Sequence, residues 1–289
     1  MSITRYRLLL LAAAFLFSTG GVAIKACSLT SWQIACFRSG IAAVCVAVLL
    51  PEARRILSPR ILPLGITYAA TLVFFVLANK LTTGAQAIFL QSTAPVYLLL
   101  LAPLVLRERI RPSEFVMVGL VVAGAVLLLF GGQHAAATAP DPARGNWLGL
   151  LSGVAWALTL TGFRWLAKRG KNADSPAAVV VAGNIIAFAV CLPMALPVAS
   201  SRPMNLAVIL YLGVFQIGLS YIAVTKSVLH VPAVEAAALL MLEPVLNPIW
   251  TWLLYAERLS VATLIGGAMI VCATFGSTFY QARQRLVTA

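Results

Sequence analysis

The sequence predicts an all-α integral membrane protein: ten transmembrane helices forming two inverted-topology five-helix repeats around a central cavity. Three observations carry this. First, 61% of the 289 residues are apolar and 10% are charged, against roughly 45–50% and about 25% in a soluble domain, so most of the chain must face lipid or other helices. Second, the apolar residues fall into ten segments near the ~20-residue length that crosses a bilayer. Third, the chain repeats itself. Residues 95–109, from Pro95 to Glu108-Arg109, are echoed by residues 244–258, from Pro244 to Glu257-Arg258, at an offset of 149. An internal repeat in so apolar a chain points to a transporter.

The ten segments lie near 8–26, 32–50, 61–79, 84–105, 114–131, 146–166, 176–196, 206–225, 233–254 and 261–280. Arg5 and Arg7 before the first could mark a signal peptide, but its length and the spans that follow read as an uncleaved first helix. The second carries Arg38, and the third a stripe of Tyr68, Thr71 and Phe75. The fourth offers Gln86, Phe89, Thr93 and Tyr97, with Pro95 and Pro103. The stretch 132–145, with Pro140 and Pro142, reads as a linker. It divides the chain into a first repeat, 1–131, and a second, 146–289.

In the sixth span Trp156 and Thr159 sit mid-membrane, while Trp147 and Trp165 read as interface anchors. The eighth carries Gln216, Ser220, Tyr221 and Thr225. In the ninth, Glu235, Leu239, Glu243 and Asn247 recur every fourth residue on one face, with Trp250 beyond. Gly20, Gly21, Gly119, Gly124, Gly266 and Gly267 read as close-packing positions.

Basic residues set the orientation. With the N-terminus inside, fourteen Lys and Arg fall in cytoplasmic gaps and five (Lys25, Lys80, Arg144, Arg202, Arg258) on the other side. Both termini are therefore expected in the cytoplasm. Five spans per half is odd, so the second half enters the membrane inverted. The basic Arg107-Glu108-Arg109-Ile110-Arg111 inside becomes Ala256-Glu257-Arg258-Leu259-Ser260 outside.

The net charge of +13 lies in short gaps between spans, which excludes a nucleic-acid partner. The five cysteines (Cys27, Cys36, Cys45, Cys191, Cys272) show no metal or redox spacing and read as small buried hydrophobes. No metal or cofactor is expected. His134 and His230 form no catalytic or ligand pattern, and no phosphate-binding Gly-rich loop is present. A channel needs a filter or an oligomeric polar pore; ten helices complete a pathway in one chain.

Pro95 with Glu108-Arg109, Leu242-Glu243-Pro244-Val245 with Glu257-Arg258, and Arg38 in the second span resemble the drug/metabolite transporter superfamily, specifically its EamA-type members, over the whole chain. The resemblance implies a secondary transporter of the cell membrane with a central cavity and alternating access. Relatives include bacterial exporters of amino acids and other small metabolites, one branch exporting aromatic amino acids without an evident need for an ion gradient. Amino-acid export is expected, with export of a nucleobase, nucleoside or organic cation, by proton antiport or without it, as the alternative.

Ionisable residues inside a span cost several kcal/mol unless paired or hydrated, roughly 2.5–3.5 on insertion scales. Arg38 and Glu243 are the clear cases. They form either an ion pair stitching the repeats or a substrate site, with Arg38 meeting a carboxylate and Glu243 an ammonium or a proton. The expected substrate-binding set is Arg38, Tyr68, Gln86, Thr93, Tyr97, Trp156, Gln216, Ser220, Tyr221, Glu243 and Asn247, aromatic and amide groups suited to an apolar side chain with a polar end. Interhelical hydrogen bonding is the competing reading. Pro95 and Pro244 remove helix hydrogen bonds at equivalent positions and are expected to act as gating kinks, or else to fit static shape. Glu108-Arg109 and Glu257-Arg258 read as structural end-caps.

Overall fold

The computed structural model describes residues 3–101, 104–105, 112–131, 135–167, 175–198, 202–227, 230–231 and 233–287. With no water in a bilayer core, each spanning backbone must satisfy itself, and the apolar segments are accordingly helical. They are α1 Ile3–Ala26, α2 Ser31–Leu49, α3 Ile61–Leu81, α4 Gly84–Leu101, α5 Pro112–Phe130, α6 Pro142–Ala167, α7 Pro176–Ala195, α8 Pro203–Ser227, α9 Ala233–Leu240 continued by Leu242–Tyr255, and α10 Val261–Val287. α6 begins four residues earlier than the apolar run suggests, because Pro142 is suited to a first helical turn. Pro103, Glu108, Arg109, His134 and the basic residues 168–171 lie outside the described residues.

Local signals fix the helix starts. Thr30 and Gln33 form a reciprocal capping box at α2: Thr30 Oγ1 accepts from Gln33 N at 3.2 Å, and Gln33 Oε1 accepts from Thr30 N at 3.1 Å. Gln33 Nε2 then donates to the Ala195 carbonyl at 3.1 Å, tying the cap to the end of α7. Thr83 caps α4 by accepting from Gln86 N, and Ser175 caps α7.

The packing is symmetric under exchange of each span with the one five places on. α3 packs on α6 as α8 packs on α1, and α4 on α6 as α9 on α1. α3 on α7 matches α8 on α2, while α2–α7 and α5–α10 map onto themselves. The α5–α10 crossing is a two-glycine contact: a Cβ at Gly124 would stand 2.6 Å from the Gly266 carbonyl oxygen, and one at Gly266 2.7 Å from that of Gly124. Gly119 departs from its expected role, since a Cβ there would meet nothing within 4 Å.

Among the described residues, three spans are interrupted. α1 breaks at Thr19, before Gly20. α4 breaks at Ser92 and Thr93, and α9 at Met241. The segments before the last two breaks end at Gln91 and Leu240, 149 residues apart, so the interruptions are repeat-equivalent. Pro95 and Pro244 stand just after them, where a missing N–H costs no helix hydrogen bond.

Candidate functional site

Arg38 is 1% exposed and belongs to a cluster supplied by α2, α3 and α8. Its Nη2 donates to the Leu72 carbonyl at 3.0 Å and its Nη1 reaches Gln216 Oε1 at 3.5 Å. Among the described residues its Nε has no partner. The anticipated Arg38–Glu243 ion pair is not formed: the ion pairs among the described residues join other groups.

Gln216 takes the place of Glu243 for a backbone reason. Residues Tyr211–Leu219 of α8 are π-helical, which inserts extra backbone and rotates the face that follows. Gly213 lets α8 approach α2 so closely that a Cβ would stand 2.9 Å from the Arg38 carbonyl oxygen. Ser220, fully buried, donates to the Phe215 carbonyl at 3.0 Å within the same widened turn.

Tyr68 and Tyr221 join the cluster edge to face, with ring centroids 5.3 Å apart, and Phe17 meets Tyr221 at 5.1 Å. Gly183 of α7 leaves room for the Tyr68 ring. The Tyr221 hydroxyl lies in the field of both Arg38 and Glu243. Glu243 is half-buried and, among the described residues, has no hydrogen-bond or ion-pair partner. A base and an acid thus share Tyr221 as a neighbour without pairing with each other directly.

The other expected site residues divide. Gln86 is locked between helices: its Oε1 accepts from Thr82 Oγ1 at 2.6 Å, and its Nε2 donates to the Leu128 carbonyl at 3.2 Å. Thr82 also bonds Asn146 at 2.8 Å, and Asn146 donates to the same Leu128 carbonyl. That is interhelical hydrogen bonding in place of an open wall. Thr93 donates to the Leu90 carbonyl at the α4 break, with Tyr97 half-buried beside it. Trp156 packs half-buried against the core. Glu235 pairs with Arg7.

Asn247 is fully buried and, among the described residues, neither of its side-chain polar atoms has a partner. It shares this state with Asn79 Oδ1 of α3 across Gly21, where a Cβ would stand 2.9 Å from both Asn247 Nδ2 and Asn79 Oδ1. The sequence contained the signal for Asn79, because the stripe Tyr68, Thr71, Phe75 continues one turn on to it.

A second polar centre was not anticipated. Lys25 and Glu257 form an ion pair at 2.8 Å with side chains 4% and 0% exposed. Lys25 Nζ also donates to the carbonyls of Thr82 and Thr138, and Glu257 Oε2 accepts from Gly84 N at 3.0 Å. Ala256, in the left-handed region at φ 50°, ends α9 and turns the chain into Glu257. At the opposite end of the same two helices, Arg7 and Glu235 pair in the open, 44% and 32% exposed, beside a Tyr6–His230 stack at 3.9 Å. Among the described residues no three His, Cys, Asp or Glu gather as a metal site.

Comparison with known proteins gives the family and the fold. The chain is 26% identical over 272 residues, 92% of its length and 93% of the relative's, to the pseudopaline exporter CntI of Pseudomonas aeruginosa strain UCBPP-PA14. It is 23% identical over 195 residues to an uncharacterized transporter of Methanothermobacter thermautotrophicus, covering 67% of this chain and 56% of that one. A crystal structure sharing 19% identity superposes with a TM-score of 0.66 over 98% of this chain and 99% of the other, which shows the common fold. The EamA-like transporter family model matches twice, at residues 4–130 and 143–279, one match to each set of five helices. This chain belongs to the EamA-like transporter family, and it is a multi-pass membrane transporter.

Proposed function

We propose that the protein exports amino acids, aromatic and other apolar ones preferred, across the cytoplasmic membrane by alternating access between an inverted pair of repeats, residues 1–131 and 146–289, with both termini in the cytoplasm. The observation that carries this reading is a pair of ionisable groups inside the bundle without a direct counter-charge: Arg38 with no acidic partner, and Glu243 with none that is basic, both acting on Tyr221 of the Tyr68–Tyr221 contact. A zwitterion supplies what each lacks, its carboxylate to the guanidinium and its ammonium to Glu243. The tyrosine rings and Phe17 suit an apolar side chain. Asn247 and Gln216 supply the polar remainder, and the repeat-equivalent breaks at Pro95 and Pro244 serve as the bending points.

Similarity to a pseudopaline exporter favours a second reading, in which the cargo is pseudopaline or a compound close to it. Counterflow in proteoliposomes separates the two. Saturable exchange of labelled phenylalanine without an imposed pH gradient supports the first. Exchange of pseudopaline with no phenylalanine counterflow supports the second. Flux of either only under a pH gradient shows proton coupling, and loss of the gradient dependence with exchange retained in Glu243→Gln identifies Glu243 as the carrier.

A further inference from the structure

The Lys25–Glu257 pair has hydrogen bonds beyond those an ion pair requires. Lys25 of α1 and Glu257 at the end of α9 hold each other at 2.8 Å, fully enclosed. Both then reach the turn joining α3 to α4, Lys25 to the Thr82 carbonyl and Glu257 to Gly84 N. One helical layer below, Asn79 and Asn247 meet over Gly21 with three polar atoms unpartnered. Gly84 lies so tightly on α9 that a Cβ would stand 2.5 Å from Thr251 Cγ2.

A permanent helix junction buries apolar groups or satisfies its polar ones. The Asn79–Asn247 layer does neither, and an unpartnered buried amide is destabilising. Such an interface suits groups that water or cargo satisfies in another state of the molecule. α1 packs on both segments of α9, so the two move together and the contact free to part is the one with the α3–α4 turn.

We propose that Lys25 and Glu257 form the latch of the outward mouth, closed here by their bonds to the Thr82 carbonyl and Gly84 N and released in each transport cycle. The inference rests on the alternating-access reading above. Its test does not depend on knowing the cargo.

Ser18, fully buried on α1 beneath this junction, is replaced by a nearly isosteric thiol (Ser18→Cys) in a chain whose five native cysteines are changed to alanine. Reaction with a membrane-impermeant maleimide is timed separately from each side of the membrane. Ala137→Cys, in the exposed linker, reports reagent access. Gly84→Ala wedges the turn off α9 while sparing the ion pair, and Glu257→Ala removes the latch itself. Each should raise the Ser18→Cys labelling rate about tenfold from the Lys25 side and leave Ala137→Cys unchanged. Gly84→Ala carries the test alone if Glu257→Ala does not insert. Unchanged labelling, or a rise from the opposite side only, overturns the latch whatever the flux. Raised labelling in a protein that moves none of the tested cargoes upholds the latch and removes the proposed amino-acid cargo instead.

Discussion

Two buried bases in this bundle have opposite circumstances. Lys25 has a carboxylate at 2.8 Å and two carbonyls within reach. Arg38 has one carbonyl, one distant amide oxygen and an N–H with nothing to bond. A buried charge is costly unless it is paired and hydrogen-bonded. The pairing of Lys25 with Glu257 therefore holds α1 to α9, and the incomplete coordination of Arg38 reads as capacity held for a ligand. Burial alone does not distinguish the two; the partners do.

This contrast makes predictions of graded size. The largest is for the paired base. Lys25→Met leaves Glu257 buried and uncompensated, and should lower stability by about 3–5 kcal/mol in detergent thermal unfolding. A loss below about 1 kcal/mol would mean that water already reaches the pair, at the level of a surface salt bridge. The unpaired base should behave in reverse. Arg38→Met removes a charge with no counter-charge, so the melting temperature should hold or rise while amino-acid counterflow falls at least about tenfold, since a buried charge without its pair is retained at a cost in stability. A fall in both would make Arg38 structural.

Steric contacts sharpen the comparison at smaller scale. Gly124→Ala places a methyl against the Gly266 carbonyl and should cost about 1–3 kcal/mol of thermal stability by overpacking. Gly119→Ala on the same helix, facing open space, should be neutral. The smallest effect is a gain. Ala256→Gly relieves a left-handed conformation that disfavours a Cβ and should add about 1 kcal/mol to the same measurement. The exposed Arg7–Glu235 pair should respond to Arg7→Gln with a change too small to resolve in the melting temperature.

Much of the architecture was legible from hydropathy and one repeated motif. Ten apolar runs separated by basic gaps give ten helices, because a span's composition is set by the solvent around it. The breaks in α4 and α9 were readable from Pro95 and Pro244, since proline's missing N–H is a local property. The pairings were less accessible. Arg38 and Glu243 have complementary charge and similar depth, which suggested a bond between them. The choice of Gln216 instead depends on the π-helical stretch Tyr211–Leu219 and on Gly213, and no side-chain pattern announces a widened helix turn. Lys25 counted as a loop base and Glu257 as an end-cap because neither has a sequence neighbour that betrays the other. Their meeting follows from α1 packing on α9, a contact across more than two hundred residues. Gln86 shows the opposite failure. Its place in a polar stripe was clear, but a stripe does not reveal whether Thr82 and the Leu128 carbonyl already occupy the amide.

The most direct test compares Lys25→Met and Arg38→Met side by side, with melting temperature and phenylalanine counterflow recorded for each in the same lipid. The account predicts a lower melting temperature for Lys25→Met, and an undiminished melting temperature with abolished counterflow for Arg38→Met. The reverse assignment, with Arg38→Met unfolding the protein and Lys25→Met leaving its stability intact, would contradict it.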